Sequence, residues 1–453
     1  MENQRHRLVL IPPPFQGHLT PMLQLANTLQ SKGFSITVAH AHFNSPDPSN
    51  HPNLLFLPLS YGLSDTHISS KNIVDISATL NTKCVSPLKE FLVDQIAKAN
   101  ISHEKIACVI YDGLMHSIDL VARELKLPSM VLRTTSATNV LTYYHAFVHL
   151  QRTGCLPFQD SKSLELVPEL EPLRFKDLLI FKLTNSDVLQ QQLVKTLAVR
   201  PSLGFIFNTV DCLEEQSLYQ LRHVYKVRLF PIGPLHMIAE DSSSSSFVEE
   251  DYSCIAWLNN QARKSVLYVS LGSIASWDEK ELTEVAWGLA NSKQNFLWVI
   301  RPGTIDDVSE WLQSLPEDVT GAIAKKGCIV KWAPQGEVLA HQAVGGFWSH
   351  CGWNSTLESL SEGVPIICQP HFGDQGVNAR LLSHVWKVGL EWSNIIERDE
   401  IESAVRRLME DSEGKEMRQR ALKLKNEIRL AVQGGSSYDA LNGLVKSILS
   451  VNL

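Results

Sequence analysis

Three sets of residues have the types and spacing to do chemistry. The first lies between Trp332 and Gln375. An apolar run at 344–348 carries Gly345 and Gly346 and leads into the turn His350-Cys351-Gly352-Trp353. Asn354 or Ser355 caps a helix expected to reach about Glu362, and Gly363 and Pro365 end it beside a buried strand at 364–368. A strand that feeds a glycine-containing turn into a helix N-terminus makes an anion site, because backbone N–H groups and the helix dipole converge there. His350, Asn354 and Ser355 add side-chain donors. This donor set suits phosphate held without a metal, and the turn contains no Asp-x-Asp pair. Ser355-x-x-Glu358 also has the form of a capping box, which alone is a structural device.

The second set is a histidine and an aspartate. His18 stands in Phe15-Gln16-Gly17-His18, the loop after a first strand at 7–14, with Thr20 expected as N-cap and Pro21 as the first helical residue. A helix N-terminus disfavours imidazolium, so a neutral, proton-accepting His18 is favoured. Asp112 follows Cys108-Val109-Ile110-Tyr111 at the tip of the fourth strand. Strand C-terminal ends share one edge of a parallel sheet, so the two side chains can meet. The third set comprises Ser273, in the turn Leu271-Gly272-Ser273 after a strand at 265–270, and Thr134, after a strand at 128–132. A lone His, a Gly-Ser turn or an Asp at a strand end is by itself ordinary loop chemistry.

The elements that must hold these residues alternate strand and helix. Strands are expected at 35–39, 54–58, 106–111, 205–209, 296–300 and 328–330. Helices fit about 72–98, 115–125, 137–152, 211–221, 279–291, 400–408, 415–432 and 437–449. The 164–173 stretch, rich in Pro and Leu, reads as a loop, and 178–197 as two short amphipathic helices. At 453 residues the chain is too long for one ordinary core, so two domains are expected. The net charge of −7 argues against nucleic acid and anionic membrane as partners, so an anionic ligand must be held by local donors. No apolar stretch approaches a membrane span, and no Cys-x-x-Cys pair appears among the eight cysteines, which read as reduced thiols. These features point to a cytoplasmic protein. A Rossmann oxidoreductase shares the βαβ pattern, but neither its Gly-x-Gly-x-x-Gly nor an acidic ribose residue is present.

The order from Trp332-Ala-Pro-Gln335 through His350-Cys-Gly-Trp-Asn-Ser355 to Phe372-Gly-Asp-Gln375 resembles the signature box of plant UDP-glycosyltransferases, and the likeness extends over essentially the whole chain. The resemblance implies a GT-B fold: α/β, with two Rossmann-like parallel-sheet domains facing a central cleft. It implies Trp332 stacked on uracil with Gln335 beside the base, and the diphosphate held by His350, Asn354, Ser355 and Ser273. Glu358 would take the ribose hydroxyls, and Trp353, Asp374, Gln375 and Thr134 would face the sugar. His18 would be the catalytic base and Asp112 its partner. Phe15, Met115, Asn139, His145, Phe147 and Phe372 would contribute to the acceptor wall.

The expectation is therefore an inverting, metal-independent UDP-glucosyltransferase without cofactor. It would act as a monomer on a small hydrophobic hydroxylated plant metabolite (a terpenoid, phenolic or hydroxy acid) to give a β-glucoside. Rival readings are the same fold using UDP-galactose, UDP-xylose or UDP-glucuronate, and a catalytically silent UDP-sugar-binding protein. The expected organisation is an acceptor domain at 1–236, a Ser-rich linker at 237–250, a donor domain at 251–435 and a final helix at 436–453 returning to the first domain.

Overall fold

The computed structural model describes residues 5–59, 72–102, 104–153, 163–168, 170–178, 187–239, 247–392 and 396–451. The serine tract of the expected linker lies outside them. The chain divides into two compact units. One comprises Met1–Gln159, Ile180–Phe247 and Leu430–Leu453; the other comprises Asp160–Leu179 and Val248–Arg429. The final helix, Ser436–Leu449, thus belongs to the first unit. Residues 160–179 lie within the first unit's stretch of sequence and are built into the second.

The first unit is a seven-stranded parallel sheet in the order β3-β2-β1-β4-β5-β6-β7. The strands are β1 (Arg5–Ile11), β2 (Ser35–Ala41), β3 (Leu55–Leu59), β4 (Glu104–Asp112), β5 (Ser129–Arg133), β6 (Gly204–Phe207) and β7 (Leu229–Pro231). Strands β1, β4 and β5 each carry an unbroken apolar stretch, at Leu8–Ile11, Ile106–Tyr111 and Met130–Leu132, because helices cover both faces of a parallel sheet. The core beneath β1 joins Leu8 and Leu10 to Met22, Leu25 and Leu29, and to Leu441, Leu444 and Ile448 of the final helix.

The helix after β1, α1 (Gln16–Ser31), starts five residues earlier than Thr20 and Pro21 imply. Phe15 is the N-cap residue, without a side-chain cap, and Pro21 lies inside the helix. The burial of Phe15, at 9% exposure, sets the start here rather than capping chemistry. His18 accordingly sits in the first turn of α1, not in a loop before it. The helical stretch at 72–98 proves to be two helices, Ile73–Lys83 and Val85–Ser102.

The second unit is a six-stranded parallel sheet in the order β10-β9-β8-β11-β12-β13. Its strands are β8 (Val266–Ser270), β9 (Asn295–Val299), β10 (Gly327–Val330), β11 (Val344–Ser349), β12 (Ile366–Cys368) and β13 (Gly389–Glu391). Trp298, Trp348, Trp311 and Trp392 sit in its core. The helices that matter for the site are α2 (Gln335–Ala340), α3 (Trp353–Glu362) and α4 (Gln375–Arg380). The α/β expectation of two Rossmann-like parallel sheets is met. In each sheet the order reverses at one place, between β1 and β4 and between β8 and β11, and the crevice outside the strand ends there is where such sheets bind ligands. Among the described residues, no helix is long and apolar enough to cross a membrane.

Candidate active site

In the first unit the reversal point holds His18, Asp112 and Thr134. Register places Ile11 opposite Tyr111 and Asp112 opposite Leu132, so the ends of β1, β4 and β5 lie side by side. His18 Nδ1 stands 2.9 Å from Asp112 Oδ2, and the two side chains are 28% and 1% exposed. Thr134 Oγ1 lies 2.9 Å from the same ring nitrogen and 3.3 Å from Asp112 Oδ2. The other carboxylate oxygen accepts the Leu114 N–H at 2.8 Å. A carboxylate only accepts, so Nδ1 carries the proton and Thr134 donates its hydroxyl to Asp112. The His18 tautomer is thereby fixed, with Nε2 on the far side as the basic nitrogen. The resemblance sets Thr134 toward the sugar; here its hydroxyl belongs to the His18–Asp112 pair.

Arg133, next to it, is 5% exposed, with its guanidinium 5.4 Å over the Phe205 ring and one N–H on Thr196 O. The same guanidinium lies against Gly113, where a Cβ would stand 2.4 Å from Nη1.

Of the expected acceptor residues, Phe15 packs edge-on to His18, with ring centroids 6.0 Å apart. Met115 and Asn139 are fully buried, and Asn139 is tied to Thr135 Oγ1 at 3.0 Å. Neither presents surface to a ligand. The Phe147 side chain lies outside the described residues. Phe372 packs on the core of the second unit.

In the second unit, His350 follows β11 and Gly272–Ser273 follow β8, and Ser349 pairs with Ser270 at the strand ends. The His350 ring is wedged between two glycines. A Cβ on Gly272 (φ +69°) would stand 2.5 Å from its Cε1, and one on Gly352 would stand 2.4 Å from its Nε2. Burial, with His371 and Arg301 nearby, pushes the imidazole down to about 3, so His350 is neutral. The Ser273 loop is fixed by Arg301, which donates to the carbonyls of Ser273, Ile274 (3.1 Å) and Ala275 (2.5 Å). The sequence reading missed Arg301. Its signal was an arginine at a strand end followed by Pro-Gly.

The helix α3 begins at Trp353 with Gly352 as N-cap and no side-chain cap. This corrects the expectation that Asn354 or Ser355 caps it. No capping box forms. Ser355 and Glu358, one turn apart on the same face, both accept from Gln335 Nε2, at 2.9 and 2.6 Å. Gln335 Oε1 in turn accepts the Tyr268 hydroxyl at 3.3 Å. Burial pushes Glu358 up to about 7, against the pull of the Gln335 bond. Trp332 precedes α2 and is half-buried.

Trp353 is 3% exposed and packs against Trp386, with centroids 6.4 Å apart, which is not the open position expected of a residue facing sugar. Asp374 is the N-cap of α4, and Gln375 starts that helix. Gln375 Oε1 accepts the His371 and Phe372 N–H groups at 2.8 and 3.0 Å, so its amide oxygen is committed and its NH₂ is the group left to offer a ligand. Among the described residues, no group of three or more His, Cys, Asp or Glu is placed to hold a metal.

Comparison with known proteins bears on the family and the fold. The family model "UDP-glucoronosyl and UDP-glucosyl transferase" matches residues 60–426. UDP-glycosyltransferase 76E1 of Solanum lycopersicum is 46% identical over 451 residues, covering 98% of this chain and 93% of that protein. Flavonol 3-O-glucosyltransferase UGT76E12 of Arabidopsis thaliana is 44% identical, covering 98% and 97%. Among solved structures, Phytolacca americana UGT2 complexed with UDP-2fluoro-glucose and pterostilbene superposes with a TM-score of 0.83 at 27% identity, covering 98% of this chain and 100% of that one. Two parallel sheets with donors gathered at each reversal point, a family match over most of the chain and relatives of nearly full length leave one assignment: the chain belongs to the plant UDP-glycosyltransferases and has their GT-B fold.

Proposed function

We propose that the protein is an inverting UDP-glucosyltransferase that transfers glucose from UDP-glucose to a hydroxyl of a small hydrophobic plant metabolite, giving a β-glucoside. The observation that carries the catalytic half is the 2.9 Å contact of His18 Nδ1 with an Asp112 carboxylate that is 1% exposed. In this reading His18 Nε2 takes the acceptor hydroxyl proton as the oxygen attacks the anomeric carbon. The bond from that carbon to the diphosphate oxygen breaks, and its electron pair leaves with UDP. Asp112 holds the ring and stabilises the imidazolium as it forms. Direct displacement at an α-linked donor inverts the centre.

The donor half rests on the second unit. The uncapped α3 N-terminus, Ser355, Asn354, Ser273 and neutral His350 offer N–H and O–H donors to the diphosphate, where charge grows as UDP leaves. Glu358 takes the ribose hydroxyls, and Trp332 gives uracil a stacking face. Asp374 and the Gln375 amide face the sugar.

Two similar proteins support glucose and a small aromatic acceptor. The Arabidopsis relative is a flavonol glucosyltransferase, and the Phytolacca protein was solved with pterostilbene. The test is competition between UDP-glucose and UDP-galactose at equal concentration, over a panel of hydroxylated terpenoids, phenolics and hydroxy acids, read by mass spectrometry. A galactoside as main product refutes the donor. UDP-sugar binding with no transfer to any acceptor or to water leaves a silent binding protein.

A further inference from the structure

Residues 163–168 and 170–178 fold back on one another within the second unit. Leu166 and Arg174 form an antiparallel bridge, and the Val167 N–H donates to Leu173 O at 2.8 Å. The end of this loop is pinned by charge. Arg174 grips Asp177 with two bonds, of 3.0 and 2.8 Å, and pairs with Glu391 of β13. Arg380, the last residue of α4, donates to Pro172 O at 2.8 Å and to Glu391 Oε2 at 3.0 Å, and lies 3.9 Å from Asp177 Oδ2. The Arg174, Arg380 and Asp177 side chains are 15%, 10% and 6% exposed, so water and salt screen these pairs little. Burial alone would raise the Glu391 carboxyl, but Arg174 and Arg380 hold it below its ordinary value.

The loop also meets α4 backbone to backbone. A Cβ on Gly376, the residue after Gln375, would stand 2.5 Å from Asp177 O. From another side, Asn378 Nδ2 ties α4 to Cys351 O of the box turn at 3.0 Å. The helix α4 runs straight into a π-helical turn at Leu381–Val385, and even so joined it is short enough that packing must fix its direction. The Gln375 amide is therefore set by its own turn at 371–372 and by what packs on α4: the box turn, α3, β13 and this loop.

We propose that the 163–178 loop positions the Asp374–Gln375 turn, and that Arg174, Asp177, Arg380 and Glu391 are positioning residues for the sugar half of the donor although none touches it. The inference rests on the reading that this turn faces the sugar. Displacing the loop shifts the amide by a fraction of an ångström, and such a shift lowers productive orientation steeply. The uracil, ribose and diphosphate contacts on Trp332, Glu358 and His350 lie on other elements and stay in place.

The experiment uses the full chain with Gly376→Ala, Asp177→Asn and, as control, Gly321→Ala, where an added methyl meets nothing within 4 Å. UDP affinity is measured by calorimetry. The kcat/KM for a set of UDP-sugars is measured with an acceptor from the panel above or, failing one, with water. In both test variants UDP affinity stays within about twofold of wild type. The kcat/KM for the preferred donor falls about tenfold or more, and its margin over the C4 epimer narrows. If Gly376→Ala does not fold, Asp177→Asn carries the measurement. Equal losses in UDP affinity and kcat/KM, or an unchanged epimer margin, overturn the proposal. A wild type that prefers a sugar other than glucose sinks the glucose reading alone, because the margin is taken on whichever donor it prefers.

Discussion

The charge of Glu358 should make donor binding depend on pH in a direction that can be worked out in advance. The carboxyl accepts from Gln335 at 2.6 Å, and burial raises it from 4.5 to about 7. A shift of that size is worth about 3 kcal/mol between the two protonation states. For stability the sign is that of any acid raised by folding: the contribution is complete below 4.5 and is lost as pH rises through about 7.

For binding the sign reverses. Vicinal ribose hydroxyls are donors and want the carboxylate, so ligand must expel the proton at acid pH. One-proton linkage then weakens UDP-glucose binding about tenfold between pH 8 and pH 6. UDP-glucose is the right probe because each of its phosphoryl groups is esterified on both sides and does not titrate in this window, whereas the terminal phosphate of UDP does. His350 starts near 3, so in the free protein it is silent across the same range. If phosphate raises it, acid pH would strengthen binding, the opposite slope. Calorimetry at three pH values on wild type and Glu358→Gln separates these: the variant binds more weakly but without the acid loss. Affinity that is flat from pH 8 to pH 6 in the wild type, or an acid loss that persists in Glu358→Gln, refutes the carboxylate's role.

Four further outcomes follow from the two sites. His18→Ala lowers kcat about 10²–10⁴-fold with UDP affinity intact, and the His18→Ala/Asp112→Asn double variant loses little more, in single-turnover assays. Thr134→Val keeps the volume but removes the hydroxyl 2.9 Å from His18, so kcat falls with donor KM unchanged; a changed donor KM instead returns Thr134 to the sugar. Trp332→Ala weakens UDP binding by about 1–3 kcal/mol in calorimetry, as loss of a base-stacking face does. Gly352→Ala drives a methyl to 2.4 Å from the His350 ring, so UDP affinity drops while a circular-dichroism melt still shows a cooperative transition.

The parallel sheets, the sites at their strand ends and the meeting of His18 with Asp112 were legible because apolar runs mark buried strands and one sheet edge collects their C-terminal tips. Helix starts were less so. Thr20 and Pro21 carry a strong N-terminal signal, yet α1 starts at Gln16, where burial of Phe15 and the tight turn from Pro13 O to the Phe15 N–H set the chain direction. Ser355 and Glu358 read as a capping box, but Gly352 has the extended backbone an N-cap needs, and helix spacing then turns both side chains to Gln335. A local pattern gives way when a residue three positions upstream can take the cap without a side chain.

The same reasoning explains why residues 160–179 were misplaced by sequence order. The stretch reads as a Leu- and Pro-rich loop beside the first unit. Within it Leu166, Val167, Leu170, Leu173, Phe175 and Leu178 surround Arg174 and Asp177. An i, i+3 Arg–Asp pair looks self-sufficient, as a surface pair on a helix would be. Two charges in so apolar a setting cannot be left to water, however, and burial costs more than one pair returns unless further partners are found. Arg174 has a second carboxylate to satisfy it, Glu391, 217 residues away. Sequence shows that such a partner is owed but not which element supplies it, and here that element is β13, beside α4. A charged pair inside an apolar loop is thus a pointer to a distant docking surface, and in this chain it places a loop from between β5 and β6 behind Gln375.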